Sequence, residues 1–254
     1  MSGTGRAGEG RGRLGSVLSN VAVAVGCVLF LGGFAWAAVV YKPYTVPTAS
    51  MEPTVDPGDR VLAERIDGDD VRRGDVVVFT DSAWGAVPMV KRVVGVGGDT
   101  VACCDEDGLL TVNGKPVEEP YLRPAGGSPE SRDRASGQDF SAKVPKDGLF
   151  LLGDERHGSQ DSRVHLDDAG QGSVPRSAVQ ARVDAVAWPM NGMIERPAGF
   201  AALPGGVSET GPLPLQVLAA VLGAVLILGG AVHGPVVARA ARRRRLREVP
   251  AGAR

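Results

Sequence analysis

The sequence predicts a mainly β fold, an antiparallel, partly barrel-like sheet domain anchored by two transmembrane helices. Three observations predict it. Two long apolar stretches stand near the ends of the 254-residue chain. Arginines cluster on the outer side of each stretch. Between them lie many short β-branched or apolar runs separated by turn residues.

The first stretch, Ser16 to Val40, holds 25 residues without a charge. At about 1.5 Å per residue it exceeds a hydrocarbon layer of about 30 Å, so it spans with some tilt. Arg6, Arg11 and Arg13 precede it, and Tyr41, Lys42 and Tyr44 follow it. Basic flanks stay in the cytoplasm and tyrosines favour the opposite interface. Residues 1–15 then form a cytoplasmic tail, disordered over 1–12, and residues 16–41 the first span. Ala35-Trp36-Ala37 mimics a cleavage site. The run is too long for a cleavable h-region of about 7–15 residues, so it reads as an uncleaved anchor.

The exposed domain, residues 42–212, reads as β-rich. Runs 60–66, 75–79, 87–96, 109–112, 148–152 and 181–187 are expected strands. Turn signals Asp56-Pro-Gly58, Arg73-Gly-Asp75, Gly97-Gly-Asp99 and Asn113-Gly114 separate them, the last marking a hairpin. Residues 123–143 are polar and rich in Gly, Pro and Ser, and read as a flexible loop or insertion. Residues 190–212 are a connection to the second span.

That span, 213–238, has its apolar heart at Val217 to Val232, with Gln216 and His233 near its ends. Arg239, Arg242, Arg243, Arg244, Arg245 and Arg247 follow, a strong cytoplasmic signal for the 239–254 tail. Both termini are thus expected inside, with the sheet domain on the extracytoplasmic side. His233 reads as interfacial.

Charge supports this layout. Lys42 to Gly211 carries 18 basic and 27 acidic residues, while the other ten basic residues are all arginines in the tails. An acidic middle argues against nucleic acid as partner. Three cysteines make no disulfide framework. Adjacent Cys103 and Cys104 are either a vicinal disulfide or two reduced thiols, and Cys27 is a small apolar residue of the first span. No metal or nucleotide motif is present, so no cofactor is expected.

Chemistry concentrates in three segments. Ser50 sits in Val46-Pro-Thr-Ala-Ser-Met-Glu-Pro-Thr-Val55, where Pro47 and Pro53 favour a fixed extended loop. A serine hydroxyl needs a base to become a nucleophile. Lys91 lies in a strand where Val87, Met89 and Val93 share its face. Periodicity leaves two readings open: a strand lysine reaching solvent, or an amine kept neutral by apolar neighbours. His157 and His165 are the candidates for a histidine base instead. The third segment is Gly153-Asp-Glu-Arg-His-Gly-Ser-Gln-Asp-Ser-Arg163.

In order and content these segments resemble the serine box, lysine box and C-terminal catalytic box of bacterial type I signal peptidases, the Ser/Lys-dyad leader peptidases. The resemblance covers about residues 15–190. It implies a membrane-bound serine endopeptidase that cleaves signal peptides from exported preproteins, with Ser50 as nucleophile and Lys91 as general base. It implies Thr48 as an oxyanion donor and Ser159 as a hydroxyl orienting the amine. Asp161 and Arg163 map to an ionic support engaging Arg92, and Gly153 and Asp154 to the opening turn of the box. Val46, Met51, Met89 and Val90 map near pockets for small substrate side chains, although they suit a plain core equally. The implied partners are signal-peptide-bearing preproteins and membrane lipid. Glu155 and His157-Gly158 depart from the family's pattern, which puts the local loop geometry in question. A non-catalytic, membrane-tethered β-domain would lack Ser50 or Lys91. A soluble self-cleaving Ser/Lys repressor would lack the spans and carry a DNA-binding domain.

Overall fold

The structure, a computed structural model, describes residues 7–122 and 134–247. They form two compact units, one of the two terminal helices and one of Val40–Gly211.

In the helical unit, α1 runs Ala7–Val40 and α3 runs Leu213–Arg247; α2, Ala198–Ala201, is a single turn of the other unit. Gly15–Val40 and Leu213–Gly234 are long and apolar enough to cross a membrane, with mean hydropathy 2.3 and 2.4. Small residues let their backbones approach. Ser19, Gly26 and Gly33 recur every seven residues on α1, and Gly223 and Gly230 lie seven apart on α3, with the larger Gln216 seven before them. Ser19 Oγ donates to the Gly230 carbonyl at 2.5 Å. A Cβ on Gly26 would press on the Gly223 carbonyl at 2.8 Å, and one on Gly33 would meet the Gln216 carbonyl at 3.1 Å. The expected disordered tail is corrected from Ala7 onward, where the chain is already helical, and Arg239–Arg247 continue α3. A helix once nucleated by an apolar span adds residues cheaply at its ends.

Among the described residues the second unit holds twelve strands. They are β1 (Tyr41–Thr45), β2 (Arg60–Glu64), β3 (Val76–Phe79), β4 (Met89–Val96), β5 (Thr100–Cys103) and β6 (Leu110–Val112). Then come β7 (Lys115–Val117), β8 (Phe140–Lys143), β9 (Gly148–Leu152), β10 (Val174–Pro175), β11 (Val179–Trp188) and β12 (Gly192–Met193). The larger sheet is an antiparallel half-barrel ordered β1-β2-β11-β3-β4-β9-β10, with β12 on β11. The smaller sheet is ordered β7-β6-β5-β8.

Every expected run yields a strand, and Asn113-Gly114 turns the β6–β7 hairpin with both residues at positive φ. Two readings need correction. Tyr41, assigned to the span, opens β1 and pairs with Glu64. The stretch read as a loop over 123–143 ends in β8, which pairs with β5 from Thr100↔Lys143 to Cys103↔Phe140. Residues 123–133 lie outside the described residues. Phe140 and Ala142 supply a buried alternate face too short to stand out in a polar context. Cys103 and Cys104 are joined as a disulfide.

Burial is two-sided where the site is built. All four residues of β3 and all five of β9 are buried, so these runs read as continuous apolar blocks. One face of the larger sheet gathers Val77, Phe79, Val93, Leu149 and Leu151, with Trp84 and Met89 packed against them. The other face gathers Val46, Met51, Val76, Val78, Ala181 and Val183, with Val90 against them.

Candidate active site

The serine is presented by a loop pinned at both ends. After β1, the Val46 N–H donates to the Asp59 carbonyl at 2.9 Å, and the Gly58 N–H returns to the Val46 carbonyl at 2.7 Å. Ala49–Met51 then forms a single 3-10 turn. Met51 is fully buried and anchors the turn, leaving Ser50 half-buried at its crest. The Glu155 N–H donates to the Ser50 carbonyl at 3.2 Å, tying the turn to the third segment.

Lys91 comes from the middle of the sheet. Cross-strand pairing puts it opposite Val77, and Met89 opposite Phe79. It is 5% exposed, and its Nζ lies 2.7 Å from Ser50 Oγ. Burial pushes the amine's pKa down, while the carboxylates of Asp161 and Asp154 pull it part of the way back. Thr48 Oγ1 lies 3.3 Å from Ser50 Oγ on the other side. The pairing of β4 with β9 begins only at Arg92↔Leu152. Beyond it the chain leaves β9 at Gly153, and among the described residues no strand pairs with that side of Met89–Lys91.

The third segment wraps around this dyad. Asp161, fully buried, accepts from the Gly153 N–H at 3.0 Å and takes Arg163 in a two-pronged ion pair at 2.8 and 2.7 Å. Ser162 Oγ accepts from the Leu151 N–H at 2.8 Å and donates to the Gly172 carbonyl at 2.7 Å. Gly153 is required by space: a Cβ there would overlap Ser159 and the Ser50 carbonyl. Ser159 is beside the site, but its buried Oγ makes no hydrogen bond. The Glu155 departure is local, since its carboxylate accepts from the Gly158 N–H and its backbone serves Ser50. His157 lies on the outer side of this loop, with Gln160 and Val164, along a cleft of about 330 Å³. His165 pairs with Asp168 at 3.1 Å instead of approaching Ser50.

One expected contact is corrected. Arg92 is held by Asp154, not by Asp161. Its Nε and an Nη donate to the two Asp154 oxygens at 2.8 and 2.7 Å, and its other Nη donates to the Gly74 carbonyl at 2.8 Å. Period two explains it, because Arg92 points to the sheet face opposite Lys91 and meets the start of the third segment there. Thr54 Oγ1 donates to Asp154 at 2.5 Å and closes the cage. Sequence reasoning missed the layer beneath. The Tyr121 ring lies 3.9 Å from the Arg92 guanidinium carbon, and Glu119 takes Arg156 in a bidentate pair at 2.6 and 2.8 Å. The only sequence signal was Glu118-Glu119-Pro120-Tyr121, an acidic and aromatic cluster directly after the hairpin.

Of the four pocket residues, Val46, Met51 and Val90 share one cluster and Met89 lies in the other. Val46 and Met51 are buried core; Met89 and Val90 are half-buried on either side of the open stretch of β4.

Comparison with known proteins identifies the family. Residues 17–188 match the family described as signal peptidase, peptidase S26. The chain belongs to that family. It is 34% identical to a probable signal peptidase I of Mycobacterium leprae over 201 residues, covering 59% of this chain and 69% of the relative. It is 35% identical to a signal peptidase I of Bacillus licheniformis over 158 residues, covering 61% of this chain and 80% of the relative. A crystal structure of a signal peptidase I from Enterococcus faecalis aligns at 29% identity with a TM-score of 0.35, covering 44% of this chain and 94% of the other. Membership makes this signal peptidase family protein a serine peptidase and implies cleavage of signal peptides from preproteins. Two apolar helices fit a membrane-anchored enzyme.

Proposed function

We propose that this protein is a membrane-bound endopeptidase that removes signal peptides from exported preproteins, with Ser50 as nucleophile and Lys91 as general base. The observation that carries the reading is the 2.7 Å contact between a buried lysine amine and a half-exposed serine hydroxyl. A neutral Lys91 takes the Ser50 proton as Oγ attacks the scissile carbonyl carbon. The tetrahedral oxyanion is met by the Ser50 N–H and the Thr48 hydroxyl. Protonated Lys91 then gives its proton to the leaving amine, and the acyl-enzyme forms. A water, deprotonated by the same amine, releases the signal peptide's carboxylate. Arg92–Asp154 and Asp161–Arg163 hold the strand and the third segment in register around the dyad, and Ser159 offers a hydroxyl on the same side.

The substrate enters as an added strand on the unpaired side of Met89–Lys91, whose half-buried neighbours Met89 and Val90 leave room for small side chains. Partners are preproteins emerging from the secretion machinery and the surrounding lipid. Both termini are cytoplasmic and the sheet domain faces outward, because arginines flank the outer end of each span. The test is incubation of the detergent-solubilised chain with a preprotein, followed by N-terminal sequencing of the product. Ser50→Ala is expected to abolish cleavage without unfolding the protein; a folded Ser50→Ala with wild-type turnover sinks the mechanism.

A further inference from the structure

His165, unused by the dyad, belongs to another arrangement. Its ring stacks on Trp84 with centroids 4.6 Å apart and planes inclined by 14°. Trp84 in turn meets Phe79 edge-on at 5.4 Å. Both geometries lie in the favourable range for aromatic pairs. The three rings come from three places: Phe79 from the end of β3, Trp84 from the β3–β4 loop, and His165 from the end of the 3-10 turn Ser162–His165, which also contains Arg163. The loop is itself fixed, since Asp81 accepts through its carbonyl from the Trp84 and Ala86 N–H groups at 3.2 and 2.9 Å.

This stack stands on the face that carries Lys91. Phe79 is paired with Met89 and Val77 with Lys91, so Phe79, Met89, Val77 and Lys91 share one surface. Phe79 is fully buried, and Trp84 is among the groups that cover its cluster. The lysine's apolar surroundings therefore continue outward through Phe79 to a tryptophan stacked on His165, two residues beyond the third segment.

We propose that Trp84, clamped between Phe79 and His165, is a positioning residue that keeps water away from the Lys91 face and so keeps the general base neutral. The proposal rests on the Ser50/Lys91 reading. The charged groups around Lys91 are Asp154 and Asp161, themselves paired with Arg92 and Arg163; its partner strand β3 presents only apolar side chains. The charged neighbour of the stack is Asp168, on His165. Since burial is what depresses the amine, admitting water raises it toward its ordinary value.

The test is the pH profile of kcat/KM for the full chain in detergent, with a fluorogenic peptide bearing a signal-peptide cleavage site. Trp84→Ala is expected to move the acidic limb upward by about 0.5–1 pH unit, since water reaches the amine. His165→Ala moves it the same way by less, and the limb persists. Trp84→Phe and His165→Phe, which keep a ring in the stack, leave it at the wild-type position; the second also removes imidazole ionisation as the cause. A folded Trp84→Ala with an unmoved limb, or with a uniform loss of rate at every pH, overturns the proposal. If Trp84→Ala does not fold, an unmoved limb in His165→Ala overturns it. An active Lys91→Arg would instead defeat the dyad itself, a failure separate from that of the stack.

Discussion

At the proposed dyad, a lysine 5% exposed sits on a serine hydroxyl, and burial lowers its pKa. On the proposed mechanism the base works only when neutral, so activity should rise with pH through that lowered pKa and fail below it. Lys91→Arg should be as inactive as Lys91→Ala, because guanidinium does not deprotonate in this range. His157→Ala should keep the acidic limb, which a pH series of kcat/KM reads directly. The Arg92 cage gives a stability prediction. Arg92 and Asp154 side chains are 1% and 0% exposed, so Asp154→Asn leaves a buried charge without its counterion. A loss of about 3–5 kcal/mol is expected, measurable as a lower denaturation midpoint. The sequence singled out Ser50 and Lys91, which the fold brings within 2.7 Å, because their neighbours are distinctive. It did not reveal that Asp154, not Asp161, answers Arg92, since both carboxylates lie within one short segment and only its fold separates them.

At the scale of elements, short β-branched or apolar runs between turn residues located β2, β3, β4, β9 and β11. β8 escaped because its two buried residues follow a polar stretch, and β10 and β12 because two residues carry no period. The spans were legible by length and hydropathy, but their contact was not. A seven-residue recurrence of small residues takes its meaning only when the antiparallel register sets Ser19 by Gly230 and Gly26 by Gly223. Gly26→Ala should weaken the helix pair by about 1–3 kcal/mol, the usual cost of overpacking. Gly32→Ala, with nothing within 4 Å of the added carbon, should not. Thermal melts followed by circular dichroism in micelles would compare the two, and equal melting temperatures would contradict the seam.

For the whole molecule, the distribution of arginine sets the expected topology. Ten arginines lie outside the segment Lys42 to Gly211, on the far sides of the two spans. Protease added to the outside of intact cells should cut within the sheet domain and spare tags at both termini. A C-terminal tag digested from outside would contradict the arrangement. The sequence by itself determined the fold class, the two long apolar stretches and the three segments of the proposed site, because length, hydropathy and turn residues are local properties. It also supplied the residues of the proposed dyad, 41 positions apart. Only the tertiary structure decided that β3 and β4 pair with Lys91 opposite Val77, that β9 stops at Leu152 and leaves an open stretch of β4, and that Tyr121 and Glu119 lie beneath Arg92 and Arg156. The physical reason is that a lowered lysine pKa and a compensated buried arginine depend on which side chains surround them in space, and sequence spacing does not record that.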